Sequence, residues 1–184
     1  MEHSEEHTST TIDYKAIVYD WGKTIVLAIG IALVLRLTIV GAYYVPTGSM
    51  KPTIRIGDRL LGAKFSYWFS APSAGDIIVF EPPEDAHSDV PRFVKRVVAV
   101  GGETVEVKNG ALYVNGVRRQ EPYLASPPYY ELMPVTVPKG HLFVLGDNRN
   151  NSRDGHVWGF LPERNVEAKI LFRFWPLFRI GALK

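Results

Sequence analysis

The sequence contains no cysteine, which removes disulfides, thiolate metal sites, iron–sulfur clusters and cysteine nucleophiles from consideration. It also lacks internal repeats, a Gly-x-Ser-x-Gly nucleophile elbow and any complete set of metal ligands. No stripe of basic residues with interleaved aromatics is present, so nucleic acid is a poor partner. The net charge of +2 hides an asymmetry: residues 1 to 20 carry five acids against one lysine, a balance of −4, which leaves +6 on the remainder. A mildly basic body suits an anionic lipid surface.

What is present suits one domain plus an appendage: 184 residues, 46% of them hydrophobic. Residues 1–23 read as a short N-terminal tail, and its first part, MEHSEEHTSTT, is polar and aperiodic enough to be disordered, with His3 and His7 solvated. Residues 24–45 (TIVLAIGIALVLRLTIVGAYYV) form an apolar run that spans roughly 33 Å as a helix, long enough to cross a hydrocarbon core. Trp21 and the pair Tyr43-Tyr44 stand where an aromatic belt would. The run is therefore expected to be an uncleaved transmembrane anchor, with a buried core helix as the other reading. Arg36 interrupts it, close enough to Tyr43 for its head group to snorkel to the interface. Lys15 and Lys23 on one side against Lys51, Arg55, Arg59 and Lys64 on the other leave the orientation open.

Beyond Pro46 the pattern becomes strand-like. Arg59 to Lys64, Asp76 to Phe80, Arg92 to Val100, Thr104 to Lys108, Ala111 to Val114, Val135 to Val137 and His141 to Leu145 are short and rich in Val, Ile, Leu and Phe, with Gly or Pro between them. Residues 46–184 are thus expected to form a mostly β domain. Asn109-Gly110 between alternating runs is the favoured two-residue hairpin turn. Residues 121 to 134 carry four prolines and read as an irregular excursion open to motion. The closing LFRFWPLFRIG fits a terminal strand in the core better than a helix lying on a bilayer, because Trp175-Pro176 ends a strand more naturally than it continues a helix.

Three polar constellations carry candidate chemistry. In Pro46-Thr47-Gly48-Ser49-Met50-Lys51-Pro52 a hydroxyl follows a glycine between two prolines, which presents Ser49 on a stiff turn as a candidate nucleophile. The same residues also suit an ordinary turn or helix start. In Arg92 to Val100, period-two alternation puts Lys95 on one face with Phe93, Val97 and Ala99, and Arg92 and Arg96 on the other with Val94 and Val98. An ordinary lysine with pKa about 10.4 is neutral in only about one molecule in 2,500 at pH 7, and burial raises that fraction enough to make a general base. A strand lysine reaching solvent is the other reading. The third, Gly146-Asp147-Asn148-Arg149-Asn150-Asn151-Ser152-Arg153-Asp154-Gly155-His156, is a tight loop held by side-chain to backbone bonds. Arg149 and Arg153 would compete with a metal for Asp147 and Asp154.

In this order the motifs PTGSMKPTI, GDRLLGAKFSYW, GDIIVF, RFVKRVVAVGGE and GDNRNNSRDGHVWGFLP resemble the type I signal peptidases, membrane-anchored serine proteases that remove signal peptides from exported proteins. The resemblance implies an antiparallel β catalytic domain behind one N-terminal transmembrane helix. Ser49 is then the nucleophile, Lys95 its general base and Ser152 the serine that orients the lysine amine. The oxyanion is held by the Ser49 N–H and the Thr47 hydroxyl, and no cofactor or metal is required. Val45, Met50, Phe93 and Val94 match pocket-lining positions for small residues at −1 and −3 of the substrate, although strict alternation cannot put both Phe93 and Val94 on one face.

The implied partners are signal peptides of secreted preproteins, the lipid bilayer and a nearby export translocon. The implied location is the plasma membrane, single-pass with residues 46–184 outside the cytoplasm, or the thylakoid membrane. Asn-Asn-Ser, His156 and Trp-Gly-Phe-Leu-Pro look most like the cyanobacterial and plastid branch. Rival readings are a Ser–His–Asp enzyme using His87, His141 or His156, a soluble self-cleaving Ser–Lys peptidase of the repressor type, and an anchored β module without catalysis. Many family members carry Ser-Arg or Ser-His after the second aspartate of the loop, where this chain has Gly155-His156. An ion pair from Asp154 must then use His156 or another cation, and loop stability is expected to depend on pH. Activity unchanged over about pH 5 to 8 in a folded protein would contradict this.

Overall fold

The computed structural model describes residues 14–68, 70–87 and 90–183. The chain divides into two compact units at Leu37/Thr38. The first is carried by helix α1 (Tyr14–Thr38), which corrects two boundaries: the helix begins inside the stretch read as tail and stops before the stretch read as the end of the anchor. The expected disorder of residues 1–11 lies outside the described residues. Ile25, Val26, Leu27, Ile29, Ile31 and Leu33 of α1 are all more than half exposed. Among the described residues no helix is long and apolar enough to cross a membrane. The side chains at positions 34–38, Arg36 among them, lie outside the described residues.

The last residues of the apolar run form strand β1 (Val40–Tyr44), which pairs antiparallel with β2 (Arg59–Ala63) from Val40 opposite Ala63 to Tyr44 opposite Arg59. A continuous apolar run has no period by which helix and strand can be told apart. Here the ladder to β2 takes up the backbone groups of Val40 to Tyr44. The remaining strands are β3 (Ile77–Phe80), β4 (Phe93–Val100), β5 (Thr104–Lys108), β6 (Ala111–Val114), β7 (Val117–Arg118), β8 (Leu132–Thr136), β9 (His141–Leu145), β10 (Leu161–Pro162), β11 (Val166–Trp175) and β12 (Gly181–Ala182). Helix α2 (Gly155–Trp158) is a single turn capped by the Asp154 side chain.

An eight-stranded sheet runs β1-β2-β11-β3-β4-β9-β10, with β12 folded back on β11, and a four-stranded sheet runs β7-β6-β5-β8. All pairings are antiparallel. Every residue of β3 is buried because both of its faces are covered: Ile78 and Phe80 pack with Val97, Val144 and Leu161, whereas Ile77 and Val79 pack with Val45, Met50 and Ile54. This explains why β3 reads as an unbroken apolar run instead of an alternating one. A third cluster joins Val98 and Phe143 to Val105, Leu112 and Val114 of the smaller sheet.

All seven strands expected from the sequence are present, within a few residues at their ends. The first part of the terminal segment is a strand, the end of β11, but Leu171 to Trp175 are half-buried or exposed rather than in the core. After Pro176 the chain turns outward, with Leu177 and Phe178 exposed, before β12 returns. Asn109 at φ 50° and Gly110 at φ 69° supply the two left-handed residues of the expected hairpin turn between β5 and β6. A Cβ at Gly110 would stand 3.3 Å from Pro127 Cβ. Gly110→Ala is expected to lower stability by about 1–2 kcal/mol, seen as a lower urea midpoint with an unchanged slope.

Candidate active site

The turn after β1 is fixed by its backbone and by what it buries. The Val45 N–H donates to Asp58 O and the Gly57 N–H to Val45 O, closing residues 45–58 into a loop. Met50 and Ile54 enter the core, and the Ile54 N–H donates to Met50 O at 2.8 Å. Gly48-Ser49 is thereby left at the surface of the core with its hydroxyl toward β4. Loop 146–156 grips the same turn: the Asn148 N–H donates to Ser49 O at 3.0 Å, and Asn148 Nδ2 donates to Gly48 O at 3.1 Å. A Cβ at Gly146 would run into the Ser49 carbonyl and the Ser152 side chain, so this close approach of two backbones needs a glycine.

Lys95 sits on β4 at 4% exposure, with its Nζ 2.6 Å from Ser49 Oγ. The nitrogen also lies 5.1 Å from the centre of the Phe93 ring. Burial lowers its pKa from the ordinary 10.5 to about 8, and Asp154 pulls in the opposite direction. At pH 7 roughly one molecule in ten then carries a neutral amine, a few hundred times the fraction for an ordinary lysine. The fold thus brings together two residues 46 positions apart and gives the amine the desolvation that a base requires.

A cleft of about 500 Å³ opens beside this pair, and Val45, Thr47, Ser49, Met50, Phe93, Val94 and Lys95 all line it, with Tyr44, Val79, Asn151 and Arg153 among the rest. Both Phe93 and Val94 reach it, against the expectation from alternation, because the cleft touches both faces of β4 at its half-buried start. Thr47 is exposed at the wall. Ser152 is half-buried with its hydroxyl oxygen shielded from solvent, but that hydroxyl has no hydrogen-bond partner among the described residues, so the expected bond to the Lys95 amine is not formed.

The cations of the third constellation pair differently from what sequence proximity suggests. Asp147 is not held by Arg149 or Arg153 but by Arg96, through Nε at 2.9 Å and Nη2 at 2.8 Å, with both side chains at 2% exposure or less. Thr53 Oγ1 donates to the same carboxylate at 2.6 Å. Arg149 turns to Glu121, and of the partners expected for Asp154, His156 or another cation, it is His156 that stands there, with Nδ1 at 2.8 Å. Sequence reasoning missed Arg96, Glu121 and Asn148; the one available signal was a second cation, Arg96, among apolar neighbours on its face of β4. Of the rival histidines, His141 bonds to Lys139 O and His156 to Asp154, whereas the Ser49 hydroxyl is met by Lys95.

Comparison with known proteins gives the family of the chain. The profile of the family described as signal peptidase, peptidase S26 matches residues 18–175. A probable signal peptidase I-1 of Synechocystis sp. is 49% identical over 163 residues, covering 86% of this chain and 83% of its own. A signal peptidase I of Leptolyngbya laminosa is 45% identical, covering 88% and 81%. The chloroplastic thylakoidal processing peptidase 1 of Arabidopsis thaliana is 40% identical, covering 84% of this chain and 47% of its own length. The crystal structure of a signal peptidase I from Enterococcus faecalis V583 is 34% identical, covers 54% of this chain and 97% of that one, and has a TM-score of 0.48.

The lowered pKa of Lys95 has a sign that stability measurements read directly. Below about pH 8 the ammonium is protonated in both folded and unfolded chains, and burying it costs on the order of 3 kcal/mol. Between about pH 8 and 10.5 the unfolded chain binds more protons than the folded one, so stability rises with pH across that window. Lys95→Met is expected to be more stable than the parent at pH 7 by a comparable amount, the difference shrinking toward pH 10.5. Equal denaturation midpoints at pH 7 would contradict the burial cost.

Proposed function

The chain belongs to the signal peptidase family, peptidase S26, and from that membership we propose that it is a membrane-anchored serine endopeptidase that cuts signal peptides from exported preproteins with a Ser49–Lys95 dyad. As a member of that family it is a serine peptidase of signal peptidase I type. The observation that carries the mechanism is the buried Lys95 amine 2.6 Å from Ser49 Oγ at the edge of an apolar cleft.

In the proposed reaction the neutral Lys95 amine accepts the Ser49 proton as Oγ bonds to the scissile carbonyl carbon. The Ser49 N–H and the Thr47 hydroxyl stabilise the resulting oxyanion. Collapse of the tetrahedral intermediate breaks the C–N bond, and the Lys95 ammonium returns its proton to the departing amine. Water then attacks the acyl-enzyme carbonyl, giving its proton to Lys95; collapse breaks the ester C–Oγ bond, the Lys95 ammonium returns the proton to Ser49 Oγ, and the signal peptide leaves with a new carboxylate. Ser152, a buried hydroxyl without another partner, is assigned to orient the lysine amine, since an unsatisfied buried polar atom in a native site calls for such a role. Val45, Met50, Phe93 and Val94 form shallow apolar walls that take small residues at −1 and −3, with the substrate extended along the cleft.

Membrane anchoring rests on α1. Ile25, Val26 and Leu27 are consecutive and all exposed, so its apolar residues do not share one face, and a helix apolar all round needs apolar surroundings. The sequence adds Val34, Leu35 and Leu37 to this apolar stretch, interrupted by Arg36. Cyanobacterial and thylakoidal relatives favour a plasma or thylakoid membrane, with the β unit on the side where exported chains emerge.

The test is cleavage of a preprotein whose signal peptide ends Ala-x-Ala by the detergent-solubilised protein, beside Ser49→Ala and Lys95→Ala. Cleavage after the −1 residue is expected, with losses of at least roughly 10³-fold in both variants. Substantial cleavage by either variant would refute the dyad.

A further inference from the structure

Residues 121–131 contain no helix or strand, yet they are bonded to loop 146–156 at three separate places. Arg149, buried in the loop, donates through Nη1 at 2.8 Å and Nη2 at 2.6 Å to Glu121, and through Nε to Gly146 O at 3.1 Å. Its guanidinium therefore bridges the excursion and the base of the loop. Tyr123 backs this pair, its hydroxyl donating to Glu121 at 2.7 Å and its ring lying 3.9 Å from the Arg96 guanidinium. Asn150 is gripped next: its Oδ1 accepts from the Tyr129 N–H, and its Nδ2 donates to Pro127 O, both at 2.8 Å. Finally, the Tyr130 ring stacks on His156 with centroids 4.2 Å apart and planes 13° apart, and His156 in turn holds Asp154.

Each grip lands on a residue next to, or bonded to, one that bears on the reacting pair or its cleft. Asn148, next to Arg149, bonds to Gly48 O and Ser49 O. Asn151, next to Asn150, lines the cleft. Asp154, bonded to His156, accepts from the Gly146 N–H at 2.7 Å and acts electrostatically on Lys95. We propose that residues 121–131 are a strap that holds loop 146–156 against the Ser49–Lys95 pair, with Glu121, Asn150 and Tyr130 as positioning residues for the cleavage reaction. This rests on the dyad reading above. The segment also covers the core, where Tyr130 packs against the cluster of Val98, Val105 and Phe143, and Glu131 accepts from the Asn109 N–H, but its hydrogen bonds to Arg149 and Asn150 and the stack of Tyr130 on His156 are directed at the loop. Small displacements of a catalytic group lower turnover by large factors without changing which substrate binds.

The experiment compares Asn150→Ala, Tyr130→Ala, Tyr130→Phe, Glu121→Gln and Ser49→Ala in the full-length protein, with kcat and KM measured on the Ala-x-Ala preprotein and the folded fraction checked by thermal unfolding. Asn150→Ala and Tyr130→Ala are expected to lower kcat about 10- to 100-fold with KM nearly unchanged. Tyr130→Phe keeps the ring stack and is expected to restore kcat. Glu121→Gln leaves Arg149 facing a neutral partner and is expected to lose both kcat and stability. Asn150 makes its bonds at the surface, so that variant separates positioning from folding. Wild-type kcat in folded Asn150→Ala and Tyr130→Ala, with Ser49→Ala inactive, would overturn the strap and leave the dyad standing. An active Ser49→Ala would overturn both.

Discussion

The buried pair of Arg96 and Asp147 ties together the three segments that matter for chemistry. Arg96 is the strand neighbour of Lys95, Asp147 opens the loop that carries Ser152, and Thr53, bonded to the same carboxylate, belongs to the turn that carries Ser49. A fully buried ion pair is a weak source of net stability, because desolvating both charges offsets their attraction. Its geometry is nevertheless demanding: two parallel N–H bonds fix the guanidinium and the carboxylate in one plane. The same guanidinium donates to Gly75 O at 3.0 Å, which adds the turn before β3 to the assembly. Alternation along β4 then does the rest. With Arg96 locked on one side, Lys95 must project to the other, toward Ser49.

That arrangement sets a tension at the centre of the molecule. The lysine is useful because it is poorly solvated, and poor solvation is unfavourable to its charged form. Asp154 moderates this, close enough to favour the ammonium yet kept from pairing with it by its bonds to the Gly146 N–H and to His156. The result is an amine that changes charge near pH 8. At pH 7 the neutral amine is the minority form, favoured by burial and opposed by Asp154.

Much of this was legible residue by residue, and the limits have physical causes. Strands with a turn signal on either side were visible, as was the Asn109-Gly110 hairpin, because their information is local. β1 was hidden because Val40 to Tyr44 continues an apolar run with no period of its own, and only the distant partner β2 makes it a strand. β11 mixes Glu167, Lys169 and Arg173 with apolar residues, and its place between β2 and β3 is a long-range fact. Ser49 and Lys95 each had an ordinary reading in isolation, and what linked them was the order of motifs. Arg96 and Asp147 are 51 positions apart, so nearer cations looked like better partners. The proline-rich excursion gave no periodic signal, and its bonds to Asn150 and Arg149 depend wholly on tertiary placement.

The insertion of β11 between β2 and β3 also bears on when the molecule becomes competent during synthesis. Ser49 lies on the connection between β1 and β2, and Lys95 belongs to the β3-β4 pair, so the backbone ladder of the large sheet joins these two parts through a strand encoded by residues 166–175, beside the side-chain contacts already described. A nascent chain that has not yet released this strand can form both hairpins, but it has no ladder to set one against the other. Long-range closure of this kind is slow and comes late in folding. The turn that carries Ser49 and the strand that carries Lys95 thus acquire a common backbone ladder only once residues 166–175 are available to pair.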